Sequence, residues 1–232
     1  MGRYFQIGAG VVMCAGLSVA AAAGKDLSSF LGEKIAYSIK QVGVKAGEAT
    51  LSCEGPVMKD GKEFVLFVFR ADGFNFLDEE KIYAHPETLF PQMVERDLNI
   101  FGNKERIVEY YEPQAGRVRI VKTADDKTTE QILEKQGQLD NIYCFIYRYR
   151  RDGRFKMGDI LKLSLPTQDI DITLVKKNSI GAGGKKYDAF YMQSNPAKYK
   201  IWFAADEQKT PLRIDGAVGV GKTSMVMREY KE

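Results

Sequence analysis

From about residue 35 onward, short runs of alternating or β-branched apolar residues recur, each ended by Gly, Pro, Asn or Asp. A period of two puts every second side chain on one face of a strand, so these runs predict β-structure. Residues 35–42 and 49–53 flank a Gly-bearing turn at 43–47. Residues 63–70 are nearly continuously apolar, which predicts a central strand buried on both faces. The preceding Lys59, Asp60, Gly61 and Lys62 form a hairpin signal. Further strands are predicted at 80–84, 93–98, 105–111, 117–123, 160–165, 170–176, 187–193, 200–204, 212–215 and 223–228, with a turn at 113–116.

One segment changes period. Leu139, Ile142, Tyr143, Ile146 and Tyr149 fall at the spacing of a single helical face. Arg148, Arg150 and Arg151 sit where the negative end of a helix dipole favours cations, and Asp152 with Gly153 supplies the stop. About a dozen short strands around one helix predict a mainly β domain, a strongly curved antiparallel sheet or open β-barrel wrapping that helix. No linker, low-complexity block or internal repeat divides it.

The amino terminus refines the picture. Arg3 is the only charge before Lys25, and an apolar, small-residue run from Ile7 to Ala23 lies between them. A basic start, an apolar middle and a small-residue exit predict a secretory signal peptide over residues 1–23, with one exported domain over 24–232. The run is too rich in Gly and Ala for a stable spanning helix. Met13 before Cys14 argues against lipid attachment. Periplasmic or other export follows, with no later segment apolar enough to span a bilayer.

Removal of residues 1–23 takes away only Arg3, leaving 33 basic against 31 acidic residues, a balance that excludes a typical nucleic-acid binder. Twelve Tyr and thirteen Phe favour sheet and large buried surfaces. Cys53 and Cys144 form a disulfide in one reading of an oxidising compartment, or two separate buried thiols in the other.

Little chemistry is written in motifs. Residues 216–223 match the phosphate-loop pattern G-x-x-x-x-G-K-[ST]. That loop needs a following helix, whereas the nine residues after Thr223 begin with a strand-like alternation; no nucleotide is expected. The single histidine, His85, precedes Pro86 and reads as a loop side chain, which leaves few metal sites. Asp78, Glu79 and Glu80 cannot all point one way along a strand and read as a solvated turn. Gly181 to Gly184 with Lys185 and Lys186 reads as a hairpin tip with a basic shoulder. Arg148, Arg150, Arg151, Arg154 and Lys156 are either a patch for an anionic partner or a solvated helix end. Neither Ser nor Cys sits in a nucleophile motif, so no catalytic residue and no cofactor is assigned.

Several segments in order resemble an exported bacterial family, domain of unknown function 3108. They are residues 32–37 followed by 42–49, the helix from Asp140 to Arg150 with Tyr147, then Met157, Gly158 and Asp159. Trp202 to Asp206 and Pro211 to Ile214 are similar to that family's closing W-x-x-x-D…P-x-x-I signature. The resemblance covers roughly Gly32 to Arg228 and implies a signal peptide followed by a curved sheet around a helix. Such a shape looks like the open barrels of periplasmic lipoprotein carriers, which hold acyl chains. It transfers no catalytic residue. The expected function is binding of a lipid or lipoprotein acyl chain, with Val65, Phe67, Phe69, Tyr143 and Ile146 either lining the concavity or forming plain core. A structural module docking an envelope protein is the alternative, and a hydrolase ranks last.

Overall fold

A computed structural model describes residues 26–135, 137–218 and 223–231; the expected signal peptide lies outside the described residues. The first run of strands is β1 (Lys34–Gln41), β2 (Val44–Lys59), β3 (Lys62–Gly73), β4 (Phe76–Ala84), β5 (Pro91–Ile100), β6 (Asn103–Glu112), β7 (Arg117–Ala124) and β8 (Lys127–Glu134). The helix α1 (Ile142–Asp152) follows. A second run is β9 (Ile160–Leu165), β10 (Gln168–Ala182), β11 (Lys185–Asn195), β12 (Lys200–Ala204), β13 (Pro211–Asp215) and β14 (Thr223–Lys231).

All fourteen strands form one antiparallel sheet. Each run is a meander of sequential neighbours, and the two join where the last strand, β14, pairs with the first, β1. The free edges, β8 and β9, are therefore the strands adjoining α1 in sequence. Short two-residue turns make the meanders possible: Asp60 and Gly61 both adopt positive φ, the I′ geometry whose twist matches the flanking strands. The edges do not pair. Near the seam, Leu139 bridges to Ser164 in β9, and Lys135 reaches the Leu165 carbonyl at 2.7 Å and Asp169 at 3.0 Å.

The concave face is closed by α1. Asn141 caps it, its side-chain oxygen accepting from the Tyr143 amide at 2.8 Å, and Gly153 ends it. Eight of its eleven residues are buried, so this is an enclosed core helix rather than a surface one. Tyr147 stacks on Phe67 at 4.2 Å between ring centres and Tyr143 on Phe69 at 4.5 Å. Such pairs add about 0.5–1.5 kcal/mol each beyond their buried area. Tyr149 meets Phe203 of β12 at 5.9 Å, so both meanders grip the helix.

Two strand expectations need correction. β3 is not buried on both faces: Val65, Phe67 and Phe69 point inward and are buried, while Leu66 and Val68 are half-exposed on the convex face. A single sheet curved round one core has only one dry face. Asp78, Glu79 and Glu80 are not a solvated turn but part of β4, with Asp78 and Glu80 buried on its inner face and Glu79 outward against Arg70 at 2.6 Å. The alternation that kept three acids from pointing one way sends two of them inside.

Candidate functional site

The inner faces of most strands are apolar, but at one end of the concavity β4, β5 and β6 turn charges inward. Glu80 lies opposite Arg96 in the β4–β5 ladder, and Val94 lies opposite Glu109 in the β5–β6 ladder. These residues and Tyr111 form one wall of a cleft of about 230 Å³. The start of α1 forms the second wall through Asp140, Asn141 and Tyr143. The β9–β10 turn, Lys198, Tyr199, Gly216 and Ala217 complete it.

The charges inside are unequally matched. Asp78 receives two hydrogen bonds from Arg96, at 2.8 and 2.6 Å, and Arg96 also stands 3.3 Å from Glu80. Asp140 receives both terminal nitrogens of Arg148. The Tyr111 hydroxyl donates to Glu109 at 2.6 Å. Two ion pairs are thus internally neutral, while Glu80 and Glu109 share what remains of one guanidinium. Burial raises the Glu80 carboxyl to about 7, against the opposing pull of Arg96 and with Asp78 and Glu109 pushing the same way as burial. Burial also raises Glu109 and Asp140, opposed by Tyr111 and by Arg148 respectively. Desolvation, then Arg96, lowers the Lys198 ammonium.

Tyr143 supplies an independent sign. Its ring is packed against Phe69, yet among the described residues its buried hydroxyl has no hydrogen-bond partner, a property it shares with the Tyr147 hydroxyl in the core. Burial raises the Tyr143 hydroxyl, and the charges of Glu80 and Asp78 act on it in the same direction with Arg96 opposing. An orphaned buried hydroxyl costs about 1–3 kcal/mol, and this one lies on a cleft lined by acids.

The candidate lining, patch and disulfide residues singled out from sequence lie outside the cleft, Tyr143 excepted. Val65, Phe67, Phe69, Tyr143 and Ile146 are all buried in the continuous core, and of these only Tyr143 also lines the cleft. The helix-end cations divide. Arg150 is fully enclosed and makes a two-pronged pair with Glu33, both contacts at 2.6 Å, beneath the faces of Phe30 and Tyr147. Arg148 is tied to Asp140 and lies over Phe90; Arg151 holds Asp152 and the Glu87 carbonyl. Arg154 and Lys156 alone are exposed. Of the five cations Arg150 alone is buried, Arg148 and Arg151 are half-buried against Asp140 and the exposed Asp152, and Arg154 and Lys156 stand at the surface.

Cys53 and Cys144 are separate buried thiols; burial lifts Cys53 to about 12 and raises Cys144 as well, which keeps both protonated and poor nucleophiles. His85 is exposed, and its Nδ1 accepts from the Glu87 amide at 3.3 Å within a turn. The 181–186 segment is the β10–β11 hairpin tip, with the Gly183 amide spent on the Met227 carbonyl at 2.8 Å. Thr223 opens strand β14 rather than a helix, and residues 219–222 of the phosphate-loop match lie outside the described residues. Among the described residues no group of three His, Cys, Asp or Glu side chains could hold a metal ion, and no helix is long and apolar enough to cross a membrane.

Sequence reading missed Glu80, Arg96, Glu109, Tyr111 and Tyr199 as a group. The legible signal was charge on the inward phase: Glu80 shares its phase with Ile82 and Ala84, and Arg96 with Val94. What brings them together is the register of three strands, which no spacing reveals.

A one-sheet, barrel-like protein wrapped round a buried helix, with a small polar cleft at the helix start, is the class this architecture defines. The chain belongs to the family DUF3108, described as a protein of unknown function, whose family model matches residues 36–228. Among solved structures it is similar to a beta-barrel-like protein of domain of unknown function DUF1849 from Brucella abortus. That likeness has a TM-score of 0.50 at 8% identity and covers 87% of this chain and 98% of the other, so it shows the fold alone. A candidate exported protein with a YmcC-like fold from Bacteroides fragilis matches over 87% of this chain and 96% of its own, at 7% identity and a TM-score of 0.29. A candidate lipoprotein from Parabacteroides distasonis matches over 87% and 95%, at 8% identity and a TM-score of 0.26. No curated protein matches.

Proposed function

We propose that this is an exported binding protein of the cell envelope that receives a small polar ligand in the cleft at the start of α1. The unpartnered Tyr143 hydroxyl, buried beside Glu80, carries the reading. Export is supported by the basic, apolar and small-residue order of residues 1–23. The acyl-chain reading draws on the same concave shape, but the helix already fills that concavity with rings stacked at 4.2 and 4.5 Å. A cleft of about 230 Å³ suits a compact polar molecule better than a lipid tail. Docking of an envelope protein has one observation in its favour. β8 ends the sheet with an unpaired edge and almost wholly exposed side chains, open to strand addition. Hydrolysis draws on the raised carboxyls alone and ranks below both.

Native mass spectrometry of the full-length gene product, recovered from an envelope extract without detergent, tests this. The expected spectrum shows a polypeptide beginning near residue 24 and carrying a small water-soluble adduct. An adduct that extracts as a fatty acid or phospholipid would move the function back to the acyl-chain reading. A bare mass that stays bare after incubation with envelope extract would favour the protein-docking reading.

A further inference from the structure

Accepting the cleft as the binding site, we infer that its ligand is an organic cation, an ammonium or guanidinium group on a compact apolar body, which enters between Glu80, Glu109 and Tyr143. The inference rests on counting charges against partners. Asp78 is consumed by Arg96 through two short hydrogen bonds, and Asp140 by Arg148. Among the described residues Glu80 and Glu109 retain no cation of their own apart from the second reach of Arg96 toward Glu80 at 3.3 Å. Lys198, a further cation on the cleft wall, stands over the Tyr199 ring at 5.1 Å, a contact that does not neutralise it. Among the described residues the acids Asp78, Glu80, Glu109 and Asp140 thus face the cations Arg96, Arg148 and Lys198.

One carboxylate in excess of the described cations in a desolvated site attracts a positive charge strongly. The aromatic residues point the same way. Tyr111, Tyr143 and Tyr199 all line the cleft, and tyrosine rings favour cations over their faces. The free Tyr143 hydroxyl adds an oxygen that an ammonium can donate to. The positive end of the α1 dipole favours anions in general, but its cap is already met. The Asn141 side chain accepts from the Tyr143 amide, and its amide group bonds the Glu80 carboxyl. A metal is a poorer fit, because no three ligating side chains converge among the described residues.

The groups facing Glu80 are Asp78 on its own strand, Arg96 from β5, Glu109 and Tyr111 from β6, Tyr143 and Cys144 from α1, and Tyr199, with Asp140 and Lys198 on the same cleft wall. Tyrosine and cysteine stay neutral throughout the neutral range, since burial raises each of them. Arg96, raised far above neutrality, stays charged. Titration of the site near neutral pH is therefore carried by the acids, with Glu80 changing charge at about 7. A cation needs Glu80 ionised. The ionised fraction rises roughly tenfold between pH 6 and pH 8, so affinity rises by about the same factor.

Isothermal titration of the purified full chain with three probes of one shape tests the inference: benzylamine, benzyl alcohol and benzoate. Benzylamine, protonated across this range, is expected to bind with a Kd on the order of 1 mM at pH 8, about tenfold more weakly at pH 6. Glu80→Gln is expected to weaken it about tenfold at pH 8 and to remove most of the pH dependence. Tyr143→Phe, which leaves no polar atom unpaired and is not expected to harm folding, is expected to weaken it severalfold. Binding of benzyl alcohol or benzoate at least as tight as benzylamine, and lost in Tyr143→Phe, would overturn the cation and leave the cleft as the site. Failure of all three probes to bind also overturns the cation, and the adduct in the native mass spectrum then decides the cleft separately.

Discussion

Replacing Arg150 with methionine is expected to lower the free energy of unfolding by about 3–5 kcal/mol, because it strands the Glu33 carboxylate in the core without its partner. The pair is wholly enclosed, with side-chain exposures of 0% for Arg150 and 1% for Glu33. It joins residues 117 positions apart, tying the last turns of α1 to the entry of β1. Arg150 also donates to the Gln208 carbonyl at 3.3 Å, so one side chain links the helix to both meanders. Desolvating two charges offsets most of their attraction, so the pair contributes little net stability compared with a well-packed apolar pair. Hence Glu33→Leu combined with Arg150→Met is expected to recover most of the loss. Urea unfolding of the single and double variants measures both effects. For a domain of this size the single change corresponds to a fall in Tm of roughly 6–20 °C. A loss below about 1 kcal/mol for Arg150→Met would show that the pair is not buried as described.

The second large effect is on pH dependence. An acid whose folded carboxyl is raised holds its proton in the native state after the unfolded chain has released it. Stability then falls as pH rises from the unfolded value to the folded one. For Glu80 that window runs from 4.5 to about 7, and its span corresponds to a loss of about 3 kcal/mol. Glu109 and Asp140, also raised, act in the same direction. The exposed or partly exposed acids with lowered carboxyls, Glu48, Glu95 and Asp169, act oppositely and only as pH falls below about 4.5. Urea unfolding between pH 4.5 and 7.5 is expected to show maximal stability in weak acid and a decline toward neutrality. Glu80→Gln is expected to flatten most of that decline and to be more stable than the unsubstituted protein at pH 7. A flat profile in the unsubstituted protein would mean that the cleft is well solvated.

Both effects arise at positions whose partners are remote in sequence, which separates what was legible from what was not. Period-two alternation located most strands, since one dry face imposes it, and the switch to helical spacing located α1. β8 was missed because its eight residues are almost wholly exposed, as suits a terminal edge, and so carry no alternation. Arg150 follows Ile146 by four and so lies on the buried stripe of the helix. It was read as surface because its class is usually exposed and because Glu33 could not be placed beside it. Glu80 and Glu109 share that history: each sits on the inward phase of its strand, but only the β4–β5–β6 register sets them round one opening. The resemblance to the family lay in segments holding sheet and helix together, and so conveyed the fold and not the cleft.

A crystal structure of the protein purified from its native envelope, without refolding or detergent, tests the central claim most directly. Density for a small non-protein molecule touching the Tyr143 hydroxyl and the Glu80 carboxylate is the expected result. A closed cleft in which the Tyr143 hydroxyl bonds a protein group, with a ligand elsewhere or none at all, would contradict it.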